Sequence, residues 1–183
     1  MDISSNMIAH AKKHHVHDNL FFEQVAFEEM TVPAETFDFI GSSLAFHYIA
    51  GFQLLIKKIS TALCEGGVLL FSIEHPIISA NMGKDNWITT AEGSLLYFAI
   101  DNYQLEGLRT QHWLVDNVVK YHRTLSTIVN TLIEHGLQIE KMVEPIPSKD
   151  AVSNLQNLNK EFRRPSFLII RAKKTITHQN VSN

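Results

Sequence analysis

Three short stretches of this 183-residue chain hold polar residues where an α/β protein does its chemistry. The first is Met1-Asp2-Ile3-Ser4-Ser5-Asn6, which reads as the end of a strand, an acid, and the start of a helix. In open α/β sheets a carboxylate at such a junction accepts hydrogen bonds from the two hydroxyls of a ribose. It can equally be an acid that favours a helix start. The second stretch is Ser42-Ser43-Leu44 with His47, following an apolar run at 37–42. A histidine titrates near neutrality, so His47 is either a general base or a packed helix residue. The third is Glu74-His75-Pro76, at the end of the apolar run 68–73. An unpaired buried carboxylate is costly, so Glu74 either serves a site or is neutralised by Arg109 or Arg123.

These residues need a sheet to gather them, and the pattern supplies one. Ser4 can cap a helix through residue 14, with Met7, Ile8 and Ala11 on one side. Residues 20–27 read as a strand, followed by a turn around Pro33, and 37–42 as a short buried parallel strand. Phe52, Leu55, Ile56, Ile59 and Leu63 fall at helical spacing, with Gly66-Gly67 as the left-handed stop. Residues 68–73 form the next strand. This alternation predicts an α/β fold, a doubly wound and mostly parallel sheet with helices on both faces. Ligands then sit at the carboxyl ends of the strands, where all three polar stretches fall.

Residues 77–117 interrupt the alternation. They carry Trp87, Tyr97, Phe98, Tyr103 and Trp113 among polar residues, and the segment is too long for an ordinary connection. It is expected to be a lid or binding insert, with Tyr103 and Trp113 offering large rigid contact surfaces to a substrate. A helix carrying Leu125, Ile128, Val129, Leu132 and Ile133 ends at Gly136. Residues 137–143 and 166–171 follow as two strands suited to an antiparallel edge. The last ten residues, 174–183, read as a flexible tail.

Composition limits the remaining options. A formal charge of −3 and a pI near 6.3 give no global attraction to nucleic acid or anionic membrane. One cysteine, Cys64, suits a reducing cytoplasm. No apolar stretch approaches the roughly 20 residues of a membrane span. His10, His14, His15 and His17 lack a carboxylate or cysteine at ligand spacing, so no metal site is expected. Arg163-Arg164 reads as part of a solvated loop.

The segments "DISSNMIAHAK", "ETFDFIGSSLAFHYI", "LLIKKISTALCEGGVLLFSIEHP", "DNYQLEGLR", "VVKYHRTLSTIVNTLIEHGLQIEKMVEPIP" and "RRPSFLIIRAKK" occur in this order. Together they resemble the class I S-adenosylmethionine-dependent methyltransferases, in a bacterial small-molecule-type subgroup. The family's glycine-rich cofactor loop has no counterpart, so the chain looks like a domain spanning 1–173 that lacks its first βα unit. In the family order the missing strand is central. Its loss predicts exposed sheet edges, hence low stability or a homo-oligomer that pairs them.

The resemblance implies S-adenosylmethionine as cofactor. It implies that Asp2 and Ile3 lie at the ribose, Ala26, Phe27 and Glu28 at the adenine, and Ser42 and Leu44 at the methionine end. On the acceptor side it implies His47, Glu74, His75 and His122 as catalytic candidates. Tyr121 and Arg123 would line the acceptor with Tyr103 and Trp113. The activity implied is methyl transfer to a small molecule, impaired where the glycine loop is missing. The alternative is a non-catalytic paralogue or fragment acting as a binding or regulatory module. No nucleic-acid or membrane partner is expected.

Overall fold

The structure is a computed structural model that describes residues 1–82, 86–113 and 115–176. The chain divides into two compact units, Met1–Pro33 and Ala34–Asn183.

In the first unit Asp2 pairs in parallel with Gln24 through a single bridge. Asp2 N–H donates to the Glu23 carbonyl at 3.2 Å and Val25 N–H to the Asp2 carbonyl at 3.1 Å. Helix α1 follows at Ser5–His14, and Ser4 caps it as expected by accepting from Met7 N–H. The expected strand over 20–27 forms only this bridge. Among the described residues its apolar residues pair with no further strand, and Phe21 is 84% exposed. Strand propensity is a preference for a half-buried pleated surface, and no such surface is provided here.

The second unit is built on a four-stranded sheet of order β1-β2-β8-β7. Strands β1 (Phe37–Ser43) and β2 (Leu63–Glu74) are parallel, joined through a 3₁₀ turn at Phe46–Tyr48 and helix α2 (Phe52–Ala62). Strands β7 (Leu137–Val143) and β8 (Phe167–Lys174) are antiparallel, and β8 pairs antiparallel with β2. The expected antiparallel edge is therefore present, and the parallel part of this sheet is the β1–β2 pair. Alternation decides the packing. Leu69, Phe71 and Ile73 of β2 and Leu168, Ile170 and Ala172 of β8 are buried, as are Ile56 and Ile59 of α2. Helix α4 (Leu125–Glu134) adds Ile128 and Leu132, is capped by Thr124, and ends before Gly136 at φ 74°.

Two boundaries differ from the sequence reading. Helix α2 stops at Ala62, four residues before Gly66, so the glycine pair lies inside β2. Gly66 takes φ 75°, and a Cβ on Gly67 would stand 2.9 Å from the Cys64 carbonyl and 3.0 Å from that of Phe37. The pair serves the register irregularity between β1 and β2. At the far end, Lys174 belongs to β8 and donates from Nζ to the Leu63 carbonyl at 2.7 Å. Thr175 N–H binds the Gly136 carbonyl. The tail is thus fixed through Thr175, while residues 177–183 lie outside the described residues.

The interrupting segment is more ordered than its composition suggests. It opens with the short helix α3 (Pro76–Ser79). Two hairpins follow, β3 (Trp87–Thr89) with β4 (Leu95–Phe98), and β5 (Gly107–Trp113) with β6 (Val115–His122).

Candidate functional site

A cavity opens where β1 and β2 end. Leu44, His47 and Tyr48 come from the turn after β1, Glu74 from the last position of β2, and Ile78 from α3. Lys120 enters from β6, and Ser166 and Phe167 from the start of β8, where Phe167 pairs with Glu74. The cavity has a volume of about 190 Å³ and opens to solvent. Its position follows from topology, because the carboxyl ends of parallel strands leave a crevice where their connections diverge.

Glu74 and Lys120 form an ion pair through Oε2 and Nζ. The lysine side chain is 2% exposed and the glutamate 18%, so the carboxylate is the member that meets the lumen. Neither Arg109 nor Arg123 supplies this partner. Arg109 donates to the carbonyls of Ala80, Leu108 and Leu105. Arg123 donates to the carbonyls of Ile49, Ala50 and Tyr121, and its guanidinium stacks 4.9 Å from the Phe52 ring. Arg123 thereby ties the turn bearing His47 and Tyr48 to the end of β6. Burial pushes its pKa down to about 10.

His47 is 8% exposed and accepts at Nδ1 from the Glu74 backbone N–H at 3.3 Å. With Nδ1 as acceptor, the neutral ring carries its proton on Nε2. Burial, followed by the charges of Lys120 and Arg123, lowers its pKa to about 4. A general base and a packed helix residue were the two readings open at this position. The geometry instead makes the ring a neutral donor, because its basic nitrogen is already engaged. Tyr48 stacks on it at 4.2 Å and keeps its phenolic proton, since burial and then Glu74 raise its pKa.

Ser42 Oγ, near the end of β1, is buried with no hydrogen-bond partner among the described residues. Leu44 takes φ 51°, and its N–H meets the Ser72 carbonyl and Oγ.

Other expected site residues stand outside the cavity. His75 caps α3 by accepting from Ile77 N–H at Nδ1, and its Nε2 meets Glu144 Oε1 at 2.9 Å. His122 is 1% exposed, with Ser79 Oγ at 2.9 Å on Nδ1 and the Tyr103 carbonyl at 2.9 Å on Nε2. Burial lowers the pKa of both rings. Neither has a ring nitrogen left for an acceptor. The Tyr103 hydroxyl accepts from Leu125 N–H at 3.0 Å, so it closes the start of α4. Tyr121 and Arg123 line a narrower void beside Ser79 and Ile128. The Trp113 side chain lies outside the described residues.

In the first unit, Asp2 Oδ1 accepts from Ser4 N–H at 2.7 Å, which holds the carboxylate at the bridge beside α1. Asp2, Ile3 and Glu28 are exposed, and Ala26 and Phe27 are half-buried.

Lys120, Tyr48, Ser166 and Phe167 were not singled out from sequence. The alternation of Val118, Lys120 and His122 along β6 was the available signal, since it places Lys120 on the same strand face as His122. The Arg163-Arg164 pair is also no solvated loop. Arg163 lies 4.8 Å over the Trp87 ring and donates to the Leu95 and Leu96 carbonyls, and Arg164 lies 4.8 Å over Phe98. They clamp the β3–β4 hairpin to the segment that delivers Ser166. Among the described residues no group of acids, histidines or cysteines could hold a metal ion, and no helix is long and apolar enough to cross a membrane.

Comparison with known proteins places this geometry. The profile of the methyltransferase-domain family matches residues 1–71. A crystal structure from Listeria monocytogenes, described as an S-adenosylmethionine-dependent methyltransferase, is 36% identical with a TM-score of 0.88. The match covers 95% of this chain and 78% of that one. An S-adenosylmethionine-dependent methyltransferase from Mesorhizobium loti is 35% identical with a TM-score of 0.82, covering 93% of this chain and 77% of that one. A Haemophilus influenzae protein of uncharacterised function is 35% identical over 147 residues. That match covers 78% of this chain and spans only 56% of the relative's length. With a Rossmann-like sheet, a crevice at its parallel strand ends and two relatives matched over most of their length, the chain belongs to the class I S-adenosylmethionine-dependent methyltransferases.

Proposed function

We propose that the chain transfers a methyl group from S-adenosylmethionine to a small-molecule acceptor held in the cavity at the ends of β1 and β2. The observation that carries this reading is the Glu74 carboxylate, turned to the lumen at the end of β2 and backed by Lys120. The cavity volume of about 190 Å³ suits a small acceptor and lies below the roughly 300–1,000 Å³ of sites for drug-sized ligands.

The residues present fit the cofactor. The buried, unpartnered Ser42 Oγ is a polar atom that a ligand's polar group would satisfy. Asp2, held by Ser4 N–H, keeps an exposed carboxylate of the kind a ribose needs. Within the second unit, Ser42 and Leu44 would meet the methionine end. When bound, the cofactor supplies a methyl group already activated by a sulfonium.

The protein's share is then positioning and proton management. Glu74 takes the acceptor's proton, and that proton carries away the positive charge that the sulfonium brought in. His47 donates from Nε2 and keeps the Glu74 backbone in place. Tyr48, Phe167, Leu44 and Ile78 wall the acceptor off from water.

The test is turnover. The protein is incubated with S-adenosylmethionine and pooled small acceptors, and S-adenosylhomocysteine release is followed. We expect release with at least one pool, and a rate at least about tenfold lower in Glu74→Gln with unchanged cofactor affinity. Release that Glu74→Gln leaves intact would show that the transfer occurs elsewhere.

A further inference from the structure

We propose that the acceptor is an amine carried on an apolar body, and that Lys120 is the positioning residue that makes the cavity select it. This inference rests on the methyl-transfer reading for its meaning, but its physical basis is independent.

The charges in the cavity are arranged in depth. Lys120 lines the cavity with its side chain only 2% exposed, so Glu74, at 18%, offers the more accessible charge. The pair is neutral overall, yet an incoming molecule meets the anion first. Lys120 engages Oε2, which fixes the rotation of the carboxylate and leaves its Oε1 edge for another donor. The rim carries two aromatic rings, Tyr48 at 38% exposure and Phe167 at 43%. A carboxylate beside aromatic faces is the chemistry that binds an ammonium, by a charged hydrogen bond and by attraction to the ring faces. Glu74 would take one proton from that ammonium to free the nitrogen lone pair for the methyl. A carboxylate or phosphate acceptor would meet Glu74 before it could reach the lysine, and like charges at that distance repel. His47 adds no competing charge, because its ring is neutral at physiological pH. The cavity therefore presents one readily accessible charge, a negative one, among apolar and neutral polar side chains.

Lys120 cannot be replaced by solvent in this role. A carboxylate that is four-fifths buried requires a counter-charge, and β6 delivers it from the protein side so that the lumen side stays free. Without Lys120 the carboxylate would have to turn toward water or take up a proton, and either change removes the acceptor's partner.

The experiment measures binding of three matched probes to the 183-residue protein by ligand-observed NMR at pH 7, with no cofactor present. The probes are benzylamine, benzyl alcohol and benzoate. We expect benzylamine to bind at least about tenfold more tightly than benzoate, with benzyl alcohol between them. Glu74→Gln should reverse the order of the charged probes, since Lys120 then becomes the uncompensated charge. Lys120→Arg, which keeps the cation, should retain the wild-type order. If Glu74→Gln fails to fold, the double variant Glu74→Gln with Lys120→Met removes both charges at similar volume and should abolish the preference between benzylamine and benzoate. Benzoate or benzyl alcohol binding the wild type as well as benzylamine would overturn the proposal. So would a preference unchanged in Glu74→Gln or in the double variant. Amine preference without turnover would count against methyl transfer alone, and turnover without amine preference against this inference alone.

Discussion

Strand β6 serves two buried polar clusters that use similar residues to opposite ends. Lys120 belongs to the first, with Glu74 and His47 around an open cavity. His122, two residues later on the same strand face, belongs to the second, with Ser79 and the Tyr103 carbonyl. Both clusters contain a histidine whose pKa burial lowers. In the second, both ring nitrogens are consumed and the serine is 3% exposed, so the cluster is closed and holds α3 against β6. In the first, one ring nitrogen and a carboxylate edge remain for a visitor. Residue type and burial do not separate a site from a strut. The count of unspent hydrogen-bonding groups facing a cavity does.

The largest expected effect breaks the open cluster. Lys120→Met leaves a mostly buried carboxylate without a counter-charge and should cost about 4 kcal/mol, read from the urea midpoint. Adding Glu74→Gln should return most of that loss. If the single variant is as stable as wild type, the pair is not the buried element described here.

A smaller effect separates the two histidine environments by pH. Each ring is harder to protonate folded than unfolded, so its contribution is fully present above the unfolded pKa near 6.5. It is lost as pH falls through the folded value. For His47, with a folded value of about 4, the loss approaches about 3 kcal/mol near pH 4. Urea midpoints measured from pH 7.5 to 4.5 should fall less steeply in His47→Gln than in wild type. Parallel curves would remove His47 from the argument.

The smallest effect tests the closed cluster. Ser79→Ala deprives His122 Nδ1 of its partner and should cost about 1–2 kcal/mol, while probe selectivity at the cavity stays unchanged. A change in the benzylamine-to-benzoate ratio would mean that the two clusters are coupled through α3.

Much of the fold was legible because its signals are local. The Ser4 cap, the apolar face of α2, the Gly136 stop and the apolar runs of β2 and β8 depend on neighbours in sequence, and each formed. Residues 20–27 failed for the complementary reason. A strand is completed by a partner, and the apolar pattern there does not say whether one will be adjacent. Gly66-Gly67 was misplaced because a glycine pair signals unusual backbone without saying whether a helix end or a strand irregularity uses it. At the site, Glu74 and His47 were found from their places at strand ends. Lys120 was passed over because a lysine in a strand ordinarily faces water.

The sequence by itself determined that this is an α/β chain with parallel strand ends bearing Ser42, Glu74 and His75, and it carried the family resemblance in ordered segments. Those properties follow from periodicity and from polar residues interrupting apolar runs. Only the tertiary structure decided that Glu74 answers to Lys120 rather than to Arg109 or Arg123. It also decided that the neutral His47 ring spends Nδ1 on the Glu74 N–H and keeps a hydrogen-bond donor at Nε2, and that His75 and His122 are fully engaged. The physical reason is that a polar side chain's chemistry is set by which partners take its lone pairs and protons. In this fold all of those partners except Ile77 arrive from 19 to 69 residues away in sequence.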